Sequence, residues 1–107
     1  MSSGTRSEGG DFEVEVVAAQ VWDPAKDNVD VEIRFKDGRR YMATFFTLEN
    51  IRMLFEKNKL TGECRSGLYL WSTDMIIVET ITLDTIRETV TGLIEAGELD
   101  GAFARVE

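Results

Sequence analysis

The sequence predicts an α+β domain: a two-layer sandwich in which a mainly antiparallel sheet carries two helices on one face, in the order β-β-β-α-β-α. Three observations predict it. Val29, Val31, Ile33 and Phe35 alternate with Asp30, Glu32, Arg34 and Lys36, the period-two pattern of a half-buried strand. A near-repeated phrase, Thr47-Leu48-Glu49-Asn50-Ile51-Arg52 and Thr82-Leu83-Asp84-Thr85-Ile86-Arg87, opens two stretches of helical periodicity. In each, a Thr suited to accept a first-turn N–H precedes an acid placed near the positive helix end.

Taken in order, residues 1–10 hold three Ser, three Gly and no apolar residue after Met1, so they read as a disordered tail ahead of a single domain over 11–107. Phe12, Val14 and Val16 against Glu13 and Glu15 make the first strand, which is expected to continue toward Trp22 until Asp23-Pro24 breaks it. The second strand is the alternating run at 29–36, with its charged face toward water. Asp37-Gly38 supplies a positive-φ turn, and a three-residue loop sets Tyr41, Ala43 and Phe45 beside the apolar face of strand two; a one-residue slip would set Arg40 there.

Helix one runs from Leu48 to about Lys59, with Leu48, Ile51, Leu54 and Phe55 as the stripe meant for the sheet and Thr61-Gly62 as its stop. One strand is expected near 75–79, either alone or in a short hairpin with 68–71. Helix two carries the longest stripe, Leu83, Ile86, Val90, Leu93 and Ile94, and should lie against strand two. The final apolar residues, 102–106, read as a short edge segment. Beyond Arg52 and Arg87 the two phrases diverge. They therefore read as a duplication or as two helices solving one capping problem, with the same secondary structure either way.

Composition excludes several chemistries. The net charge of −8, with 20 acids against 12 bases, argues against a binder of nucleic-acid backbone. Histidine is absent and Cys64 is the single cysteine, so the common nucleophile pairs, structural zinc sites and haem or iron–sulfur ligand sets cannot be assembled; no metal or cofactor is expected. No run approaches the roughly 18 apolar residues of a membrane span, and no signal peptide is evident, so a cytoplasmic protein is expected. The carboxylates lack the spacing of a calcium loop, and the glycines lack that of a phosphate cradle.

Two surfaces stand out. The segment from Thr61 to Asp74 carries Cys64, Arg65, Tyr69, Trp71 and Asp74; its aromatics either cap the core or form a recognition surface, since Trp, Tyr and Arg dominate binding hot spots. Strand parity places Val17, Ala19, Val21, Met42 and Phe46 on the outer sheet face, an apolar patch expected to be covered in a homodimer.

The runs Tyr41–Ile51, Thr61–Cys64 and Trp71–Val78 resemble small bacterial proteins of unknown function. The resemblance implies a stand-alone bacterial domain and carries no activity or site. The expected function is a protein-interaction or homo-oligomerising module without catalysis, whose partner is a second copy or another protein. The alternative is a small-ligand-binding protein or weak enzyme using the 61–74 loop, with Arg65 holding an anion and Cys64 or Asp74 reacting.

Overall fold

The computed structural model describes residues 5–7, 11–17 and 20–106. Its architecture is the α+β arrangement the sequence predicts. The strands are β1 (Thr5–Ser7), β2 (Phe12–Val16), β3 (Val29–Phe35), β4 (Arg40–Phe46), β5 (Met75–Ile77) and β6 (Ala104–Arg105). The helices are α1 (Leu48–Thr61), α3 (Leu83–Glu95) and two short turns, α2 (Glu63–Gly67) and α4 (Leu99–Ala102). The sheet runs β1-β2-β3-β4-β5, antiparallel except for the parallel β4–β5 pair. Because β3 occupies one side of β4, both β5 and β6 border its other side, β6 beside Tyr41 and Met42 and β5 beside Thr44 to Phe46.

Register follows burial. Val14 pairs with Ile33 and Val16 with Val31 across β2–β3, and Ile33 with Tyr41, Val31 with Ala43 and Val29 with Phe45 across β3–β4. All of these face one core with Ile81, Ile86, Val90, Leu99 and Phe103. The β3–β4 loop has the expected three residues, Lys36 to Gly38: Phe35 N–H donates to Arg39 O, and Gly38 takes φ +100°, where a side chain would be strained. Phe45 meets Phe103 edge-on at 6.0 Å, and the Tyr41 hydroxyl donates to Asp100 at 2.7 Å.

Several expectations need correction. Part of the predicted disordered tail is sheet, since Thr5–Ser7 pair antiparallel with Val14–Val16; residues 1–4 and 8–10 lie outside the described residues. The first strand stops at Val16. Trp22 then docks by its indole N–H, which donates to Ile81 O at 2.7 Å. Residues 68–71 form no hairpin, because β5 pairs with β4 in parallel after the long α1 crossover.

The charged outer face does not simply meet water. Glu15 lies opposite Glu32, and Arg34 opposite Arg40, an arrangement of like charges that is unfavourable row by row. Diagonal neighbours, and the Arg34–Glu32 pair along β3 itself, reverse it. Arg34 reaches Glu15 at 3.0 Å and Glu32 at 3.3 Å, and Arg40 reaches Glu32 at 2.7 Å, leaving both Glu residues buried beneath guanidinium groups. Burial pushes the Glu32 carboxyl up, but the hydrogen bonds from Arg40 and Arg34 outweigh it, so it titrates below the usual range.

The α1 stripe is the largest departure. Leu48 is exposed, while Ile51, Leu54 and Phe55 are half-buried and sit outside the main core. The buried positions of α1 belong instead to Asn50 and Asn58. Asn50 accepts from Asn28 Nδ2 at 3.0 Å and donates to Lys26 O at 2.8 Å, which fixes the helix to the 23–28 turn rather than pressing its apolar face onto the core.

Candidate functional site

Among the described residues, most of the exposed large apolar side chains lie in the connection between β4 and β5. This connection begins with a well-capped helix: Thr47 accepts from Asn50 N–H, and Gly62 closes the other end at φ +86°, donating its N–H to Asn58 O. The next turn is unusual. Cys64, Arg65 and Ser66 all lie in the left-handed region, at φ +52°, +54° and +59°, where an L-residue costs about 1–2 kcal/mol.

Packing holds this turn in place. Gly67, at φ +83°, is pressed so close to α1 that an added Cβ would come within 2.7 Å of Lys59 Cγ and 2.9 Å of Phe55 O. Leu68 N–H donates to Cys64 O at 2.9 Å, so the chain leaves the turn in a fixed direction. That direction delivers apolar side chains to solvent. Leu68 is 73% exposed, Tyr69 47% and Trp71 71%, and Leu60 at the end of α1 is 90% exposed. Tyr69 and Trp71 therefore do not cap the core.

The same connection ends in an open strand edge. Thr44 N–H donates to Asp74 O and Val78 N–H to Phe46 O, so Asp74, Ile76 and Val78 direct their backbone groups toward β4. By the two-residue period of a strand, those of Met75 and Ile77 point away, to a side where no described strand pairs. Ile77 is also exposed.

The loop residues singled out from sequence do not converge. Cys64 is half-buried, and Arg65 is exposed without an ion pair among the described residues. Asp74, at φ +52°, instead lines a recess of about 100 Å³ with Asp30, Thr44 and Thr73, and neither Cys64 nor Arg65 lines it. This separation gives no support to a reaction shared by Cys64, Arg65 and Asp74. The outer-face candidates also divide. Val17 and Met42 are half-buried, Phe46 is buried, Val21 is 90% exposed on the loop after β2, and Ala19 lies outside the described residues. Among the described residues no group of three or more potential metal ligands comes together, and no helix is long and apolar enough to cross a membrane.

No protein-family model, curated protein or solved structure matches the chain. The resemblance to small bacterial proteins over about residues 41–107 therefore gains no support from these comparisons.

Sequence reasoning missed a second concave region, formed where the loop after β2 meets the start of α3 and lined by Trp22 and Asp84 among others. Its signal was faint. Trp22 read as the end of a strand and Asp84 as a helix-cap acid, and nothing in the linear pattern brings residues 62 positions apart together.

Proposed function

We propose that this chain is a protein-interaction module that pairs with a second copy of itself through the β5 edge and the exposed apolar residues leading into it. The observation that carries the reading is the coincidence of an open strand edge, Met75–Ile77, with Leu68, Tyr69 and Trp71 held in solvent by the connection before it. A strand edge is its own complement. Two β5 edges related by a twofold axis extend the sheet, and flanking apolar side chains would be covered by the same contact. Trp and Tyr supply large contact areas at low conformational cost, which suits them to the centre of an interface.

Sedimentation velocity at tens of micromolar tests this. The wild-type chain is expected to sediment as a dimer, and Ile77→Lys, which places a charge on the edge, as a monomer with an unchanged circular-dichroism spectrum. A wild-type monomer at those concentrations, or an Ile77→Lys dimer, would overturn the reading.

A further inference from the structure

The concave region beside α3 has a volume of about 450 Å³, within the usual range for small-molecule pockets. Its walls are mainly apolar, with Val21, Trp22, Pro24 and Leu83 among the lining residues. Its shape is fixed by the backbone of the fully buried Ile81, which donates its N–H to Pro24 O at 2.8 Å and accepts the Trp22 indole N–H at 2.7 Å.

Most polar groups lining it are already engaged. The Trp22 N–H is committed to Ile81, and the Thr82 hydroxyl accepts the Thr85 N–H at 3.0 Å and donates to Thr85 Oγ1 at 2.9 Å. Gln20 also has a partner. Asp84 differs, because its carboxylate makes no hydrogen bond or ion pair with the described residues.

The reason lies three residues on. In α1 the equivalent acid, Glu49, is paired by Arg52. In α3 the equivalent Arg87 turns away to stack over the Phe12 ring at 4.3 Å and to donate to Phe12 O at 3.3 Å. The lining therefore combines a flat indole, aliphatic walls and a first-turn carboxylate of α3 that has no ion-pair partner among the described residues.

From this combination we infer that the pocket between Trp22 and Asp84 binds a small organic monocation, an ammonium carried on an aromatic or alkyl body. The body fills the apolar wall against Trp22, where an adjacent cation also gains from the indole face. The ammonium donates to the Asp84 carboxylate.

The Trp71→Phe variant leaves Trp22 as the sole tryptophan, so its fluorescence reports the pocket directly. Phenethylamine, with phenethyl alcohol and phenylpropionate as neutral and anionic counterparts, would be titrated at fixed ionic strength. A saturable change with the amine alone is expected, with a dissociation constant of about 1 mM for so small a ligand. Asp84→Asn should weaken it about fivefold, as loss of a partly exposed charge pair does, while Glu88→Gln, an exposed acid farther along α3, leaves it unchanged. Equal binding of the alcohol, an unaltered affinity in Asp84→Asn with an unchanged melt, or no saturation by about 10 mM would each overturn the inference.

Discussion

The segments Thr47–Arg52 and Thr82–Arg87 begin from nearly one phrase and reach opposite environments. Both Thr residues cap their helices by the same hydrogen bond, to Asn50 N–H and to Thr85 N–H at 3.0 Å each. There the likeness stops. Thr47 is buried and also donates to Ala25 O at 2.6 Å, whereas Thr82 is exposed. Leu48 is exposed where Leu83 packs on the core, and Ile51 is half-buried where Ile86 is fully enclosed. The arginines complete the contrast, one in a surface ion pair and the other over an aromatic ring. A six-residue phrase thus sets where a helix starts. Which face it buries is set by what the rest of the chain brings to it: the polar 23–28 turn reaches α1 through Asn50, and the sheet reaches α3 through Ile86 and Val90.

The largest expected effect comes from the matched isoleucines. Ile86→Ala should cost about 2–5 kcal/mol, as removal of a fully buried side chain does, and Ile51→Ala about 1 kcal/mol, because its site is already partly open. Denaturant midpoints compare them; equal losses would mean that the two helices are buried alike and that the contrast is false.

The helix ends come next. Gly67 and Gly97 both have positive φ, but an added methyl at Gly67 meets α1 at 2.7 Å while at Gly97 it meets nothing within 4 Å. Gly67→Ala should therefore lose about 2–3 kcal/mol and Gly97→Ala about 1 kcal/mol. Thermal unfolding of the pair separates crowding from the backbone penalty they share.

A smaller difference is expected at the caps. Thr47→Ala removes a cap and a second, half-buried hydrogen bond, for a loss of about 2 kcal/mol, against about 1 kcal/mol for Thr82→Ala. If the two losses are equal, the Ala25 contact adds nothing. The smallest is at the arginines: Arg87→Ala should cost about 1 kcal/mol and Arg52→Ala less than about 0.5 kcal/mol, since exposed ion pairs contribute little. Melts at low and high salt would sharpen this, because only the surface pair is screened strongly.

Much of the fold was legible because period-two alternation and hairpin chemistry are local. The β3–β4 register follows from Val29, Val31 and Ile33 needing the same side as Tyr41, Ala43 and Phe45. The hydrophobic stripe of α3 was equally plain. What escaped depends on contacts distant in sequence. Nothing local marks Asn50 as a docking residue, because its partners, Lys26 O and Asn28, lie more than twenty residues away, and the exposure of Leu48 goes with that docking. The aromatic segment was recognised, but composition alone could not distinguish core-capping aromatics from exposed ones, because the left-handed turn that aims them depends on Gly67 lying against α1. The Trp22 pocket was invisible for the same reason.

The side of β4 shared by β5 and β6 has a consequence for how the domain comes together. Tyr41 pairs with Arg105 and hydrogen-bonds Asp100, so a strand in the first half of the chain completes its ladder with residues near the last. A nascent chain emerging from the ribosome can zip β3 and β4 early, since the turn between them is short, and β2 is already made to join them. It then has an unfilled stretch of β4, with Phe45 lacking Phe103, until about sixty further residues are made and α3 has folded back. During that interval the exposed backbone of Tyr41 and Met42 is a vacancy another strand can enter, and closure by Ala104–Arg105 is the event that commits the domain to its own core.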